Sequence, residues 1–268
     1  MLALQSARYL GRLNHSKETG GLLASITSYP NLSYAENLHY HETFVLSLVL
    51  KGGNLEKRKK SEIERIPGTV TCHDAGAPHQ STRMRPDSCH VNLEITEQFM
   101  KTYELDTQAA ALEKGSPADA RFLMLKIYQE LVTNDQESLL SIESALLHLL
   151  QFAGRYDHRQ GLPAWVLKVR EALYDKWNEN LTLSELALIA NLHPVNLSGH
   201  FPRYFGCTMG EFRRKVKMEK ALELLKCRDL SLTAIAHDCG FADQSHFTRI
   251  CKDLTGWNPK QLKAMDRH

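Results

Sequence analysis

The sequence predicts an α+β chain of several domains: a β-rich N-terminal region, a helical hairpin, and an all-α C-terminal region holding a duplicated helix-turn-helix. Three observations carry this. Between residues 44 and 95, short runs of β-forming residues alternate with Gly, Pro and Asn turn signals. From 118 to 152 the apolar residues recur at helical spacing. In the last hundred residues one small pattern occurs twice, about 50 residues apart. The boundaries read as 1–115 for the β region, 116–153 for the hairpin, 154–162 for a linker and 163–268 for the helical domain, with helix-turn-helix units at about 182–205 and 231–254.

In the first region, Phe44-Val-Leu-Ser-Leu-Val-Leu50, Gly68-Thr-Val-Thr-Cys72 and Ser88 to Ile95 read as strands. Lys51-Gly-Gly-Asn54 and Ile66-Pro-Gly68 bound them as turns. Pattern alone supports a β-barrel or a double sheet. Two helices follow, Ala118 to Val132 and Glu137 to Phe152, across a turn at Thr133-Asn134-Asp135. Their leucine-rich faces suit packing on the β domain or against a second subunit. The polar stretch from Gly154 to Gly161 reads as the interdomain linker.

The repeat is specific in its punctuation. In the first copy Thr182 is the expected N-cap, with Glu185 three residues on as a capping box requires. Leu186, Ala187 and Ala190 form a buried face, Pro194 suits the first turn of the next helix, and Leu197, Phe201 and Phe205 form its buried stripe. In the second copy Ser231 caps, Ile235, Ala236 and Cys239 are buried, Gly240 makes the turn, and Phe247, Ile250, Cys251 and Leu254 form the stripe. A helical bundle with a purely structural repeat is the competing reading. The matched caps, turns and closing glycines, Gly206 and Gly256, favour DNA binding.

The stretch from Leu181 to Leu262 resembles the DNA-binding domain of the AraC/XylS family of transcriptional regulators. The run Ile235-Ala-His-Asp-Cys-Gly-Phe-Ala-Asp-Gln-Ser-His-Phe-Thr-Arg249 and the ending Thr255-Gly-Trp-Asn-Pro259 carry the resemblance. It implies two helix-turn-helix subdomains joined by one long helix, here about Gly210 to Lys226, facing adjacent major-groove segments of double-stranded DNA. It also implies a cupin-like β-barrel as the N-terminal sensor and dimerisation through the hairpin to a homodimer. A small-molecule effector follows too, with activation commoner than repression and RNA polymerase as a partner if the protein activates. The implied function is a cytoplasmic, sequence-specific transcription regulator and not an enzyme.

Residues near the N-terminus of each second helix are placed to reach base edges. In the second unit these are Gln244, Ser245, His246, Arg249 and Lys252; Arg249 suits guanine and Gln244 suits adenine. In the first unit they are Val195, Asn196, His200 and Arg203, with Asn196 the best base reader. Arg213, Arg214 and Lys217 begin the linking helix and suit phosphates. A solvated helix face is the alternative for such a run. The first unit departs from the family at Gly199, which matches Arg249, and at Pro202, inside the helix. Both weaken a helix, so the first unit is expected to contribute less base readout. Charge adds modest support: residues 163–268 hold 16 Lys/Arg against 12 Asp/Glu.

The sharpest N-terminal group is His39-Tyr-His41 with His79 in Gly76-Ala-Pro-His79. If residues 39–41 are extended, both histidines point to one side of a sheet, and a third from a neighbouring strand completes a triad. This resembles cupin metal motifs, although Val45 stands where a glutamate is usual. A divalent metal, hydrogen bonding in an effector pocket, or simple placement in the barrel mouth are the open readings, with His73 and His90 weaker candidates. The alternative function is therefore a metal-dependent cupin enzyme carrying a DNA-binding tail. Six scattered cysteines without C-x-x-C pairs read as reduced thiols. No run of 18 apolar residues and no signal-peptide stretch is present, so no membrane partner is expected.

Overall fold

The computed structural model describes all residues except 1, 7, 31–36, 106–116, 134–136, 158–161, 180, 228 and 266–268; at 117–118 and 151–157 it describes the backbone alone. The chain divides into two compact units, residues 1–157 (with 265–268) and 158–264.

Among the described residues the first unit has ten strands: β1 Leu2–Leu4, β2 Arg12–Thr19, β3 Leu22–Tyr29, β4 His39–His41, β5 Phe44–Lys51, β6 Asn54–Arg58, β7 Glu62–Arg65, β8 Val70–His73, β9 His79–Thr82 and β10 Ser88–Ile95. They form two five-stranded sheets, ordered β1-β4-β9-β6-β7 and β2-β3-β10-β5-β8. The β1–β4 pair is parallel; the remaining ladders are antiparallel. Side chains of the two sheets meet in the interior, as Arg65 on Ser47 and His73 on Glu56 show. The double-sheet form of the expected β domain is thus the one adopted. β5, β8 and β10 match the strands read from sequence. The polar β2 was not legible there, although Gly20-Gly21 (φ 52° and 90°) is the two-residue turn that a twisted β2–β3 hairpin favours.

A short helix, α1 (Glu97–Thr102), leaves β10 with Thr96 as its cap. α2 (Pro117–Thr133) and α3 (Ser138–Asp157) form the expected hairpin. α2 lies on the β2-β3-β10-β5-β8 sheet and buries Phe122, Leu123, Met124, Ile127 and Leu131. Of the expected turn at 133–135, Thr133 ends α2 and 134–135 lie outside the described residues. The expected linker at 154–162 needs correction, because α3 continues to Asp157 and takes in its first four residues.

Among its described residues the second unit is all-α. It begins with α4 (Ala164–Asp175), a helix not anticipated from the pattern. α5 (Leu183–Ala190) and α6 (Pro194–Phe205) form the first helix-turn-helix. α7 (Met209–Leu225) is the long linking helix. α8 (Leu232–Asp238) and α9 (Gln244–Thr255) form the second helix-turn-helix, and α10 (Pro259–Met265) closes the chain. The local signals act as expected. Thr182 and Glu185 complete a capping box, Ser231 caps α8, and Gly206 and Gly256 end their helices in the left-handed conformation. Val166, Val169 and Leu173 of α4 join Leu186, Ala187, Leu197, Phe201 and Phe205 in one core. In α9 the buried stripe ends on Thr255 while Leu254 is only half-buried; the Thr255 hydroxyl donates to the Cys251 carbonyl.

α6 runs unbroken through Pro202. Stacked Phe201 and Phe205 rings (centroids 3.9 Å), with Phe212 against both, hold its last turn. A Cβ added at Gly199 meets nothing within 4 Å. Gly199→Ala is therefore expected to stabilise the helical unit by ~0.5–1 kcal/mol, read as a higher denaturant midpoint. An unchanged or lower midpoint would show that Gly199 is required for a reason beyond the helix backbone.

Candidate nucleic-acid interface and histidine cluster

Each recognition helix presents its first turn to solvent on a capped start. At α6, the His193 Nδ1 accepts from the Val195 N–H (3.3 Å) and Pro194 opens the helix. Val195, Asn196, His200 and Arg203 are exposed, and the Arg203 guanidinium lies over the Tyr204 ring at 5.7 Å. At α9, the Asp243 carboxylate accepts from the His246 N–H (2.7 Å). Gln244, Ser245, Arg249 and Lys252 are exposed. His246 differs: it is half-buried, its Nδ1 accepts from the Ala242 N–H, and its ring meets Phe241 edge-on. One positioning residue escaped the sequence reading. The Thr233 hydroxyl of α8 donates to the Gln244 carbonyl oxygen (2.7 Å) and fixes the direction of that amide.

The three cations of α7 separate into two kinds. Arg213 donates to the carbonyls of Leu181 (3.1 Å) and Glu179 (3.0 Å), and Lys217 donates to the Gly240 carbonyl (2.7 Å). Spacing of i and i+4 puts both on one helix face, where they tie the entry of the first unit to the turn of the second. Burial and the Arg213 charge lower the Lys217 pKa. Arg214 is exposed. Sequence could not separate the three, because the backbone carbonyls that Arg213 and Lys217 reach belong to distant segments.

In the first unit, His39 and His41 alternate inward along β4, and His79 on β9 is the register partner of His39. All three are buried, with relative exposures of 3%, 8% and 4%. Ring centroids lie 4.3 Å (39 to 79), 5.3 Å (41 to 79) and 5.5 Å (39 to 41) apart. One nitrogen from each falls within 4.8 Å of the others. The His39 Nδ1 bonds the Asn37 carbonyl (2.8 Å) and the His79 Nδ1 bonds the Ala77 carbonyl (3.1 Å). Burial first, then the neighbouring imidazoles, push His41 down to about 3 and His79 down to about 2. Both are neutral near pH 7.

Beside the triad lies a buried ion network. His73 stacks on His79 (3.9 Å), and its Nε2 lies 3.0 Å from Glu56 Oε1. Glu56 is fully buried; Arg58 donates to it at 2.6 Å and Arg65 pairs with it at 3.3 Å. Burial alone would raise the Glu56 pKa. The hydrogen bond with His73 and the charges of Arg65, His73 and Arg58 override this and hold it well below the ordinary value. Arg65 continues the network through Ser47 and Asn92 to Thr27. His90 is buried, and burial followed by the Arg65 charge lowers its pKa. The triad, His73, His90 and Arg65 line one cavity of about 40 Å³.

Among known proteins, a helix-turn-helix domain family matches residues 186–265. The HTH-type transcriptional activator RhaS of Enterobacter sp. (strain 638) is 25% identical over 146 residues, covering 53% of this chain and 52% of its own length. An uncharacterised HTH-type transcriptional regulator of Bacillus subtilis (strain 168), YfiF, is 29% identical over 164 residues, 58% of this chain and 52% of its own. The chain spans about half the length of these curated relatives. The solved C-terminal domain of AraT, a response regulator from Geobacillus stearothermophilus, is 30% identical, covering 38% of this chain and 86% of that domain, with a TM-score of 0.36.

Proposed function

We propose that the chain, whose residues 186–265 match a helix-turn-helix domain family, is a transcription regulator of the AraC/XylS type that reads a specific operator with both helix-turn-helix units and responds to a ligand of its β domain. The observation that carries the reading is the pair of capped recognition helices, α6 and α9, whose exposed first turns hold Val195, Asn196, Gln244 and Ser245, with Arg249 one turn on. Asn, Gln and Arg are the side chains that pair bidentately with adenine and guanine. Arg203, Lys252 and Arg214 are the proposed phosphate contacts, while Arg213 and Lys217 act by holding α7 in place.

Activation is proposed rather than repression, in line with the role of the similar RhaS as an activator; RNA polymerase is then a partner. A homodimer through the hairpin is proposed on the exposed Val132 and Leu140 side chains. The enzyme alternative is disfavoured by the cavity of about 40 Å³, since organic ligands occupy pockets of ~300–1,000 Å³. Among the described residues no helix is long and apolar enough to cross a membrane.

The test is binding to duplex DNA across a salt series. Arg214→Ala is expected to weaken binding uniformly across sequences and to reduce the slope of log K against log salt by ~1. Lys217→Ala is expected to leave the slope unchanged and to destabilise the unit instead. Salt-independent binding, or equal slopes for wild type and Arg214→Ala, would contradict the assignment.

A further inference from the structure

We propose that the β domain binds one divalent first-row transition-metal ion on His39, His41 and His79, and that this ion is the ligand the regulator senses; the sensing half rests on the regulatory reading above. The register of β4 and β9 brings the three imidazoles together inside the domain. Two of them are already oriented as ligands. With the Nδ1–H of His39 and of His79 donated to the Asn37 and Ala77 carbonyls, each Nε2 keeps a free lone pair. Metal-binding histidines are held in just this way.

The donor set decides the class of ion. Three neutral imidazoles with no carboxylate among them suit zinc, cobalt, nickel, copper or iron, and disfavour magnesium and calcium, which require oxygen ligands. Nitrogens around one zinc stand ~3.4 Å apart, given Zn–N of about 2.0–2.1 Å. The present separations of up to 4.8 Å must shorten by ~1.4 Å when such an ion binds. Space points the same way. A cavity of about 40 Å³ leaves room for an ion and at most one water, whose share of the liquid is ~30 Å³, and is well below the ~300–1,000 Å³ of pockets that hold organic ligands. The nearby Glu56 carboxylate, reached through His73, is already paired with Arg58 and Arg65, so the three imidazoles alone supply the ligands.

The experiment uses the full chain, stripped with a chelator and titrated with Co²⁺ by visible absorption, with zinc measured by elemental analysis after dialysis. One equivalent per chain is expected. His39→Ala, His41→Ala and His79→Gln are expected to lose it with circular dichroism unchanged; His79→Gln preserves side-chain volume should an alanine variant fail to fold. His15→Ala, exposed on β2, is expected to retain it. No bound metal in the wild type, or equal binding in the folded triad variants, overturns the site. DNA affinity is then compared with and without Zn²⁺. A change of about 5- to 150-fold in the wild type, absent from His41→Ala, supports sensing. Equal affinities overturn the sensing half alone. Absence of DNA binding in both conditions counts against the regulatory reading and leaves the measured metal site standing.

Discussion

Arg249→Ala is expected to lower affinity for a selected operator by about 5- to 150-fold, the equivalent of ~1–3 kcal/mol for one bidentate arginine–guanine pair. The loss should fall on one position of the site, so that the variant tolerates any base there. Asn196→Ala should cost less. Its helix carries Gly199 where α9 carries Arg249, so α6 lacks the side chain that makes the commonest specific base contact. Gln244 is better held than Asn196, because Thr233 aims its amide. Competition binding on a panel of single-base operator variants checks this. A neutral Arg249→Ala beside an abolished Asn196→Ala would reverse the ranking of the two units.

Glu56→Ala is expected to destabilise the β unit by ~3–5 kcal/mol, the cost of leaving one member of a buried charge network unpaired. The group left without its carboxylate is Arg65, buried at 5% exposure on β7; Arg58 of β6 and His73 of β8 also lose the bond to Glu56. The pH dependence has two parts. His41 and His79 have lowered folded pKa values, so the unfolded chain binds protons that the folded one refuses, and stability falls as pH drops below about 6.5. Glu56, also held low when folded, contributes stability that is complete above its unfolded value and is lost as pH falls below about 4.5. Glu56→Gln should therefore flatten the lower part of the acid limb and leave the upper part intact. Denaturant midpoints of the β unit from about pH 2 to 8, covering the range between the unfolded and folded values, test this. Parallel limbs in wild type and variant would show that Glu56 does not carry the lower step.

The helical unit was the more legible in sequence because its determinants are local. Thr182 finds Glu185 three residues away, Ser231 caps its own helix, and Gly240, Gly206 and Gly256 need only their own backbone freedom. The β domain was legible where strands are apolar, as in β5 and β10, and opaque in β2, β6 and β7. The stretch Glu56-Lys-Arg-Lys-Lys-Ser-Glu-Ile-Glu-Arg65 is charged or polar at every position but Ile63, yet it folds into a hairpin that buries both its end residues. Burial of Glu56 and Arg65 depends on His73 and Ser47 from the other sheet, which no spacing within the hairpin can announce. The triad lies between these cases. His39 and His41 follow from the period of a strand, whereas His79 required the β4–β9 register.

The most direct test of a two-unit operator reader is selection of bound sequences from a random duplex pool by the full chain, in parallel with Arg249→Ala. Two conserved blocks about one helical turn (~10–10.5 base pairs) apart, with the variant losing one of them, are predicted. No enrichment in the wild type with or without added Zn²⁺, or two blocks that both survive Arg249→Ala, would contradict it.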